Sequence, residues 1–191
     1  MPALDGELVT LRPLEAGDAD TLLAIHRTDE VSRWWGQPDE GFPLTDEPEA
    51  TRFMILIDGR VAGMVQYNEE PEPDYRYAEI DIFLDPAEHG QGVGTDAVRV
   101  IVRHLTEDLG HHRVTIGTAV ENVVALRCYE KAGFRRIGVA QAAGRNYVTG
   151  KMDDEWLLER VVLTAPRERS RASDGARRPG PARPTGPIRS S

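Results

Sequence analysis

Apolar residues along this 191-residue chain change their spacing from segment to segment, and the changes mark out its elements. Alternation over residues 7–12 predicts a first strand, stopped by Pro13. Ala19, Leu22, Leu23 and Ile25 give an apolar side to a helix over 18–26, and residues 28–35 predict a second short helix ending at Trp34, Trp35 and Gly36. Residues 37–50 hold three prolines and five acids and predict a long loop, a kind of segment that often carries function. Two apolar runs, 52–57 and 60–67, flank Asp58 and Gly59. A two-residue turn needs positive φ, which Asp and Gly tolerate, so these runs predict a hairpin. Residues 68–74 read as a second acidic loop.

Over residues 76–84 the period is two: Ala78, Ile80, Ile82 and Leu84 take one face, and Tyr77, Glu79, Asp81 and Phe83 the other. Helical spacing then returns. Val93, Ala97, Val98, Ile101, Val102, Leu105 and Leu109 trace one face of a helix over 93–109, stopped at Gly110. A strand over 113–118, a helix over 122–132 stopped by Gly133, and closing strands over 134–139 and 146–152 complete the pattern, with 156–163 apolar enough to pack back. This order predicts a mixed α/β domain of the α+β type over residues 1–164.

Charge divides the chain unevenly. Residues 165–191 carry seven Arg and two acids, a net +5, while the whole chain is −9, which leaves −14 on residues 1–164. The tail is rich in Pro, Gly and Ser and is expected to be disordered, because it has too little apolar surface to offset its ordering entropy. The acidic body argues against nucleic acid as a partner and favours a cationic one. No apolar run is long enough to span a membrane, and Asp5 and Glu7 spoil any secretory pattern. The single cysteine, Cys128, cannot form an internal disulfide, which fits a reducing, cytoplasmic setting. No Cys/His spacing suggests a metal site, and either a monomer or a homodimer is compatible with the composition.

The most informative segment joins the strand at 76–84 to the helix at 93. It reads His89, Gly90, Gln91, Gly92, Val93, Gly94, Thr95. Alternating glycines let the backbone approach a ligand closely. The helix start adds unpaired N–H groups and a positive dipole end, which together make a cradle for a diphosphate. A plain strand-to-helix turn is the alternative. The absence of Gly-Lys-Ser/Thr sets aside a nucleotide-triphosphate loop. About thirty residues on come Asn122, Ala125, Tyr129, Lys131, Gly133 and Phe134. Asn122 and Tyr129, seven apart, share a helix face.

These two segments resemble the GNAT superfamily of N-acetyltransferases. Its acyl-CoA loop has the form Arg/Gln-x-x-Gly-x-Gly/Ala, met here from His89 to Gly94 with His in the first position. Its second motif, Asn-x-x-Ala-x-x-x-Tyr-x-Lys-x-Gly-Phe, is met from Asn122 to Phe134. The resemblance implies a GNAT fold and acetyl-CoA as co-substrate. It implies direct acetyl transfer to a primary amine, with no covalent enzyme intermediate. It places the thioester against backbone amides of a splayed strand at Ile82, Phe83 and Leu84, and the diphosphate on residues 89–95. Asn122 and Ala125 would hold the pantetheine arm, and Tyr129 would be the general acid that protonates the departing thiolate. Taken alone, Tyr129 reads as a packed aromatic rather than a catalyst, and it is the whole motif that reverses this. Cys128 reads as a structural thiol, since no His partner lies near it in sequence.

Within the superfamily, residues 7–163 are similar to the aminoglycoside 6′-N-acetyltransferases, through Trp34-Trp35-Gly36, Ile80-Asp81 and Leu126 to Phe134. That likeness implies a polycationic amine substrate lying against Trp34 and Trp35, with Asp81 as base and amine contact. Glu79, on the same face, is the rival base or a second anchor. Structural readings stay open beside these: a core plug for the tryptophans and a salt bridge for Asp81. One departure concerns Gly117, where members of that group carry an Asp. A protein N-terminus, a polyamine or another small amine is the alternative substrate, and an acyl-CoA sensor without turnover is the alternative activity.

Overall fold

The computed structural model describes residues 1–163. The predicted tail at 165–191, and with it the domain boundary at 164, lie outside the described residues. Among the described residues eight strands form one sheet: β1 Leu4–Asp5, β2 Thr10–Pro13, β3 Thr51–Ile57, β4 Arg60–Glu70, β5 Tyr77–Leu84, β6 Arg113–Ala119, β7 Arg135–Arg145 and β8 Met152–Val161. Their order is β1-β2-β3-β4-β5-β6-β8-β7, and every pairing is antiparallel except β5 with β6. Four helices flank the sheet: α1 Ala19–His26, α2 Asp29–Trp35, α3 Val93–Arg103 and α4 Val123–Lys131. This is the expected α+β architecture.

The strict alternation in β5 is what gives the sheet two buried faces. Ala78 and Ile80 enter a large core with Val98, Ile101, Leu105, Leu126 and Tyr129 on the side of α3 and α4. Phe83 enters a smaller core with Leu22, Ile25, Val31 and Phe42 on the side of α1 and α2. Ile80, Ile101 and Leu22 are fully buried. Each such side chain contributes about 1.5–3 kcal/mol relative to an exposed one.

Several boundaries differ from the sequence expectation. The first strand was predicted over 7–12, but Leu8 and Val9 donate their N–H groups to Asp96 Oδ2, at 2.7 and 3.1 Å, so the ladder begins only at Thr10. The loop predicted over 68–74 starts three residues late, because β4 stays paired with β5 through Glu70↔Tyr77. The strand predicted over 146–152 is a turn. Asn146 Oδ1 accepts from the N–H groups of Val148 and Thr149, and Gly150 takes φ +72°, so the chain reverses there and β8 follows at Met152. The helix predicted over 93–109 is α-helical to Arg103 and widens into a π turn over His104–Asp108.

Candidate active site

The site is organised by a separation of strands. β5 and β6 run parallel but pair only at Ala78↔Val114 and Glu79↔Thr115. β5 continues to Leu84 on β4, and β6 continues to Ala119 on β8. Past Glu79 the two strands therefore diverge, and backbone groups on the facing edges lose their ladder partners. A buried backbone polar group without a partner is costly, so such an edge is suited to binding a polar group from a ligand. Ile82 and Leu84 pack their partly buried side chains against the larger core and Phe83 packs into the smaller one, so the polar groups these three offer a ligand are those of the main chain.

The glycine-rich loop leads from this edge into α3. His89, Gly90, Gln91 and Gly92 are exposed. Gly90 has φ +76° and Gly92 φ +90°, the left-handed region in which a side chain is strained. A Cβ on Gly90 would meet nothing within 4 Å, so the loop is open on its outer side. A Cβ on Gly94 would stand 3.2 Å from Leu84 Cδ1 and 3.3 Å from Cys128 Sγ, which is how closely α3 approaches both β5 and α4. Val93 is buried and pins the first turn. The exposed N–H groups that open the eleven-residue helix α3, together with its dipole, fit a diphosphate without any metal-like donor set.

α4 supplies the second wall. Asn122 caps it, its Oδ1 accepting from Ala125 N at 3.1 Å, which leaves the amide NH₂ as the donor available to a ligand. Tyr129, two turns on, is 6% exposed within the larger core. Burial, reinforced by the nearby Cys128 and Asp81, pushes its hydroxyl pKa well above the ordinary value, so it stays protonated and keeps a proton to donate. Burial likewise raises the Cys128 thiol, which accepts a hydrogen bond from Thr95 Oγ1 at 3.5 Å. A protonated, packed thiol is a poor nucleophile, in agreement with its structural reading.

On the opposite sheet face the half-buried Asp81 is pushed up to about 6, first by burial, then by the charges of Glu79 and Glu47, with Glu155 adding to them. Gln66 stands across the ladder from Asp81 and offsets part of that rise. Gln66 is held in turn. Arg52 Nε donates to its Oε1 at 2.8 Å, and its Nε2 donates to Glu47 Oε2 at 3.0 Å. Arg52 also grips Asp46 with both terminal nitrogens, tying the loop over 37–50 to the sheet. A carboxylate that titrates near neutrality and faces a proton-loving amine is a competent base. A neutral phenol on the far side of the strand separation is a competent acid.

A sequence profile for the acetyltransferase (GNAT) domain matches residues 9–135. The chain belongs to the GNAT acetyltransferase family. It is 30% identical over 173 residues to a probable N-acetyltransferase, YjcK, of Bacillus subtilis, covering 81% of this chain and 94% of that one. It is 27% identical over 152 residues to an aminoglycoside N(6′)-acetyltransferase type 1 of Klebsiella pneumoniae, covering 68% and 75%. It is 30% identical over 135 residues to the spermidine N(1)-acetyltransferase of Escherichia coli K12, covering 66% and 72%. Among solved structures, AAC(6′)-Ib with parmomycin and acetyl-CoA superposes with a TM-score of 0.69 at 25% identity, over 87% of this chain and 100% of that one. This GNAT chain is accordingly an N-acetyltransferase that uses acetyl-CoA.

The GNAT fold separates the two tryptophans that the sequence sets side by side. Trp35 packs edge-on to Phe83 at 5.0 Å and to His26 at 6.0 Å, largely as part of the smaller core. Trp34 lies under the Arg33 guanidinium, 4.7 Å from its ring centroid. Gly36 is crowded by Tyr147 from the β7–β8 turn, whose ring would lie 2.5 Å from a Cβ there. With Asp29, Ser32, Arg33, Gln37 and Val148, these two residues line a hollow of about 270 Å³ beside the tryptophans. Glu79 is exposed next to Asp81. Sequence reasoning missed Gln66, Arg52, Glu47, Tyr147 and Glu155. Of these only Arg52 and Gln66 left a trace, as polar residues inside apolar strands.

Proposed function

We propose that this GNAT enzyme transfers the acetyl group of acetyl-CoA directly to a primary amine of a small polycation, with an aminoglycoside 6′-amine as the leading candidate. The carrying observation is Asp81: a carboxylate with a pKa of about 6, ringed by Glu79, Glu47 and Glu155 and set at the strand separation. In this reading a substrate ammonium gives its proton to Asp81, and the free amine attacks the thioester carbonyl carbon. The carbon–sulfur bond breaks, Tyr129 protonates the departing thiolate, and the proton shed by the acylated nitrogen restores the Tyr129 hydroxyl. Residues 89–95 hold the diphosphate, the amide of Asn122 holds the pantetheine arm, and the main chain at 82–84 holds the thioester oxygen. Trp34, and the edge of Trp35, offer apolar surface to sugar rings. The likeness to aminoglycoside N(6′)-acetyltransferases over 68% of the chain supports this choice.

A polyamine is the second reading, favoured by the 30% identity to a spermidine N(1)-acetyltransferase. Both substrates are polycations, and the acidic face suits either. The test is an amine panel with acetyl-CoA, read by release of free thiol and containing kanamycin, tobramycin, spermidine and an N-terminal peptide. Turnover fastest with an aminoglycoside is expected. Turnover confined to spermidine would select the second reading, and no turnover with any polycation would refute both. A cytoplasmic setting, where acetyl-CoA is at hand, belongs to the same proposal. Among the described residues no helix is long and apolar enough to cross a membrane.

A further inference from the structure

We infer that Glu155 of β8 is a specificity-determining residue that binds a second ammonium group of the substrate, so that the enzyme selects diamines and higher polyamines over monoamines. This rests on the proposed function and adds to it a residue outside the family motifs.

The register places Glu155. Glu79↔Thr115 is the last pair between β5 and β6, so Asp81 and Gly117, two residues further along each strand, stand at the same level but apart, on opposite banks of the separation. Across β6 and β8, Thr115↔Glu159, Gly117↔Leu157 and Ala119↔Glu155 share one face, which through Glu79↔Thr115 is the face of Glu79 and Asp81. The Glu155 side chain runs back over Gly117: its Oε2 lies 3.7 Å from where a Cβ on Gly117 would be. On its other side lies Gly144 of β7, where a Cβ would stand 1.9 Å from Oε1 and 2.9 Å from Cδ. The carboxylate therefore lies against Gly117 at ordinary contact distance and occupies space on the β7 side that a side chain at Gly144 would claim.

Among the described residues no cation is paired with it. Glu159, two residues on and on the same face, is gripped by Arg113 at 2.8 Å and by Arg135. Glu155 has no such partner among the described residues, and its charge is felt by Asp81. A half-buried carboxylate without a cation gains most by acquiring one, and an ammonium ion supplies charge-assisted hydrogen bonds. Asp81 serves the nitrogen that reacts. Glu155, on the other bank, is placed for a different nitrogen of the same molecule, and a monoamine has none to offer.

The experiment compares kcat/KM for paired amines, 1,4-diaminobutane against butylamine and an aminoglycoside against its singly aminated sugar, in the full chain and in Glu155→Gln. The native enzyme is expected to prefer the member with the second ammonium by roughly 10–100-fold, the worth of one hydrogen bond to a charged group. In Glu155→Gln this ratio should collapse towards unity, chiefly through KM. Glu155→Asp, which withdraws the carboxylate by one methylene, should lower it partly and serves if the Gln variant does not fold. Gly117→Asp placed on Glu155→Gln should restore it. Native turnover of monoamines and diamines at equal efficiency would overturn the inference and leave the proposed function standing. An undiminished ratio in Glu155→Gln would do the same. Absence of turnover with every amine would instead overturn the function itself, and this inference with it.

Discussion

Gln66 faces Asp81 directly across the β4–β5 ladder, and Arg52 fixes the orientation of Gln66 by donating to its amide oxygen at 2.8 Å. The amide NH₂ is thereby turned towards the carboxylates, Glu47 at 3.0 Å among them. The acidity of Asp81 is thus set by two opposed influences. Burial and like charges raise it, and an oriented donor holds the rise in check.

One consequence is a conflict between stability and activity at Asp81. Its pKa is near 3.8 when unfolded and about 6 when folded, so between those values the native state binds the extra proton. Stability therefore falls as pH rises from about 4 to above 6. Asp81→Asn should be more stable than the native protein at pH 8, by roughly 1–3 kcal/mol, and should lose that advantage by about pH 4. Denaturant unfolding at the two pH values checks this. The same variant should lose most amine acetylation while keeping affinity for acetyl-CoA.

The pH dependence of the native enzyme should follow the same group. kcat/KM is expected to rise with pH through an acid limb near 6, the value at which Asp81 becomes a carboxylate. Absence of a limb near 6 would mean that another group, Glu79 first, takes the proton.

Tyr129 is buried and kept protonated, so removing its hydroxyl should act on turnover rather than on binding. Tyr129→Phe is expected to lower kcat by about 10²–10⁴-fold, with acetyl-CoA affinity by calorimetry close to native. Full activity in this variant would take the acid role from Tyr129.

Arg52 is 8% exposed and paired with Asp46, so its loss leaves an uncompensated carboxylate and an untied loop. Arg52→Met should destabilise the fold by about 3–5 kcal/mol. Where enough folded protein remains, the acid limb of its pH profile should move, because Gln66 is no longer oriented. A change in stability with an unmoved limb would reduce Arg52 to a purely structural tie.

Gly92 caps α3 with φ +90° at the point where the diphosphate would meet the helix. Gly92→Ala must hold a left-handed alanine, at a cost of about 1–2 kcal/mol. It also brings a methyl group near the exposed amides. Acetyl-CoA affinity by calorimetry should fall at least tenfold, and the unfolding midpoint should drop by roughly 2–8 °C.

Much of the fold was legible because the relevant signals are local. The alternation in residues 76–84 and the helical stripe from Val93 to Leu109 each bury one face, and a single-residue shift would turn that face to water. Asp58 and Gly59 made the hairpin readable, since few residues accept positive φ. The boundaries failed where a side chain took backbone N–H groups away from the expected ladder. Asp96, nearly ninety residues away, removed Leu8 and Val9 from the ladder, and the side chain of Asn146 made a turn where apolar neighbours had suggested a strand.

Sequence alone made the glycine-rich loop and the helix face shared by Asn122 and Tyr129 legible, because both depend on residues close along the chain: glycines at a helix start, and side chains two turns apart. It also fixed the family, which the profile match confirmed. Only the tertiary structure decided what surrounds Asp81. Gln66, Glu47 and Glu155 come from three separate segments, and no periodicity links them. Their effect is electrostatic, and it depends on distances through space that exist only once β5 and β6 have parted and β8 has been laid beside them.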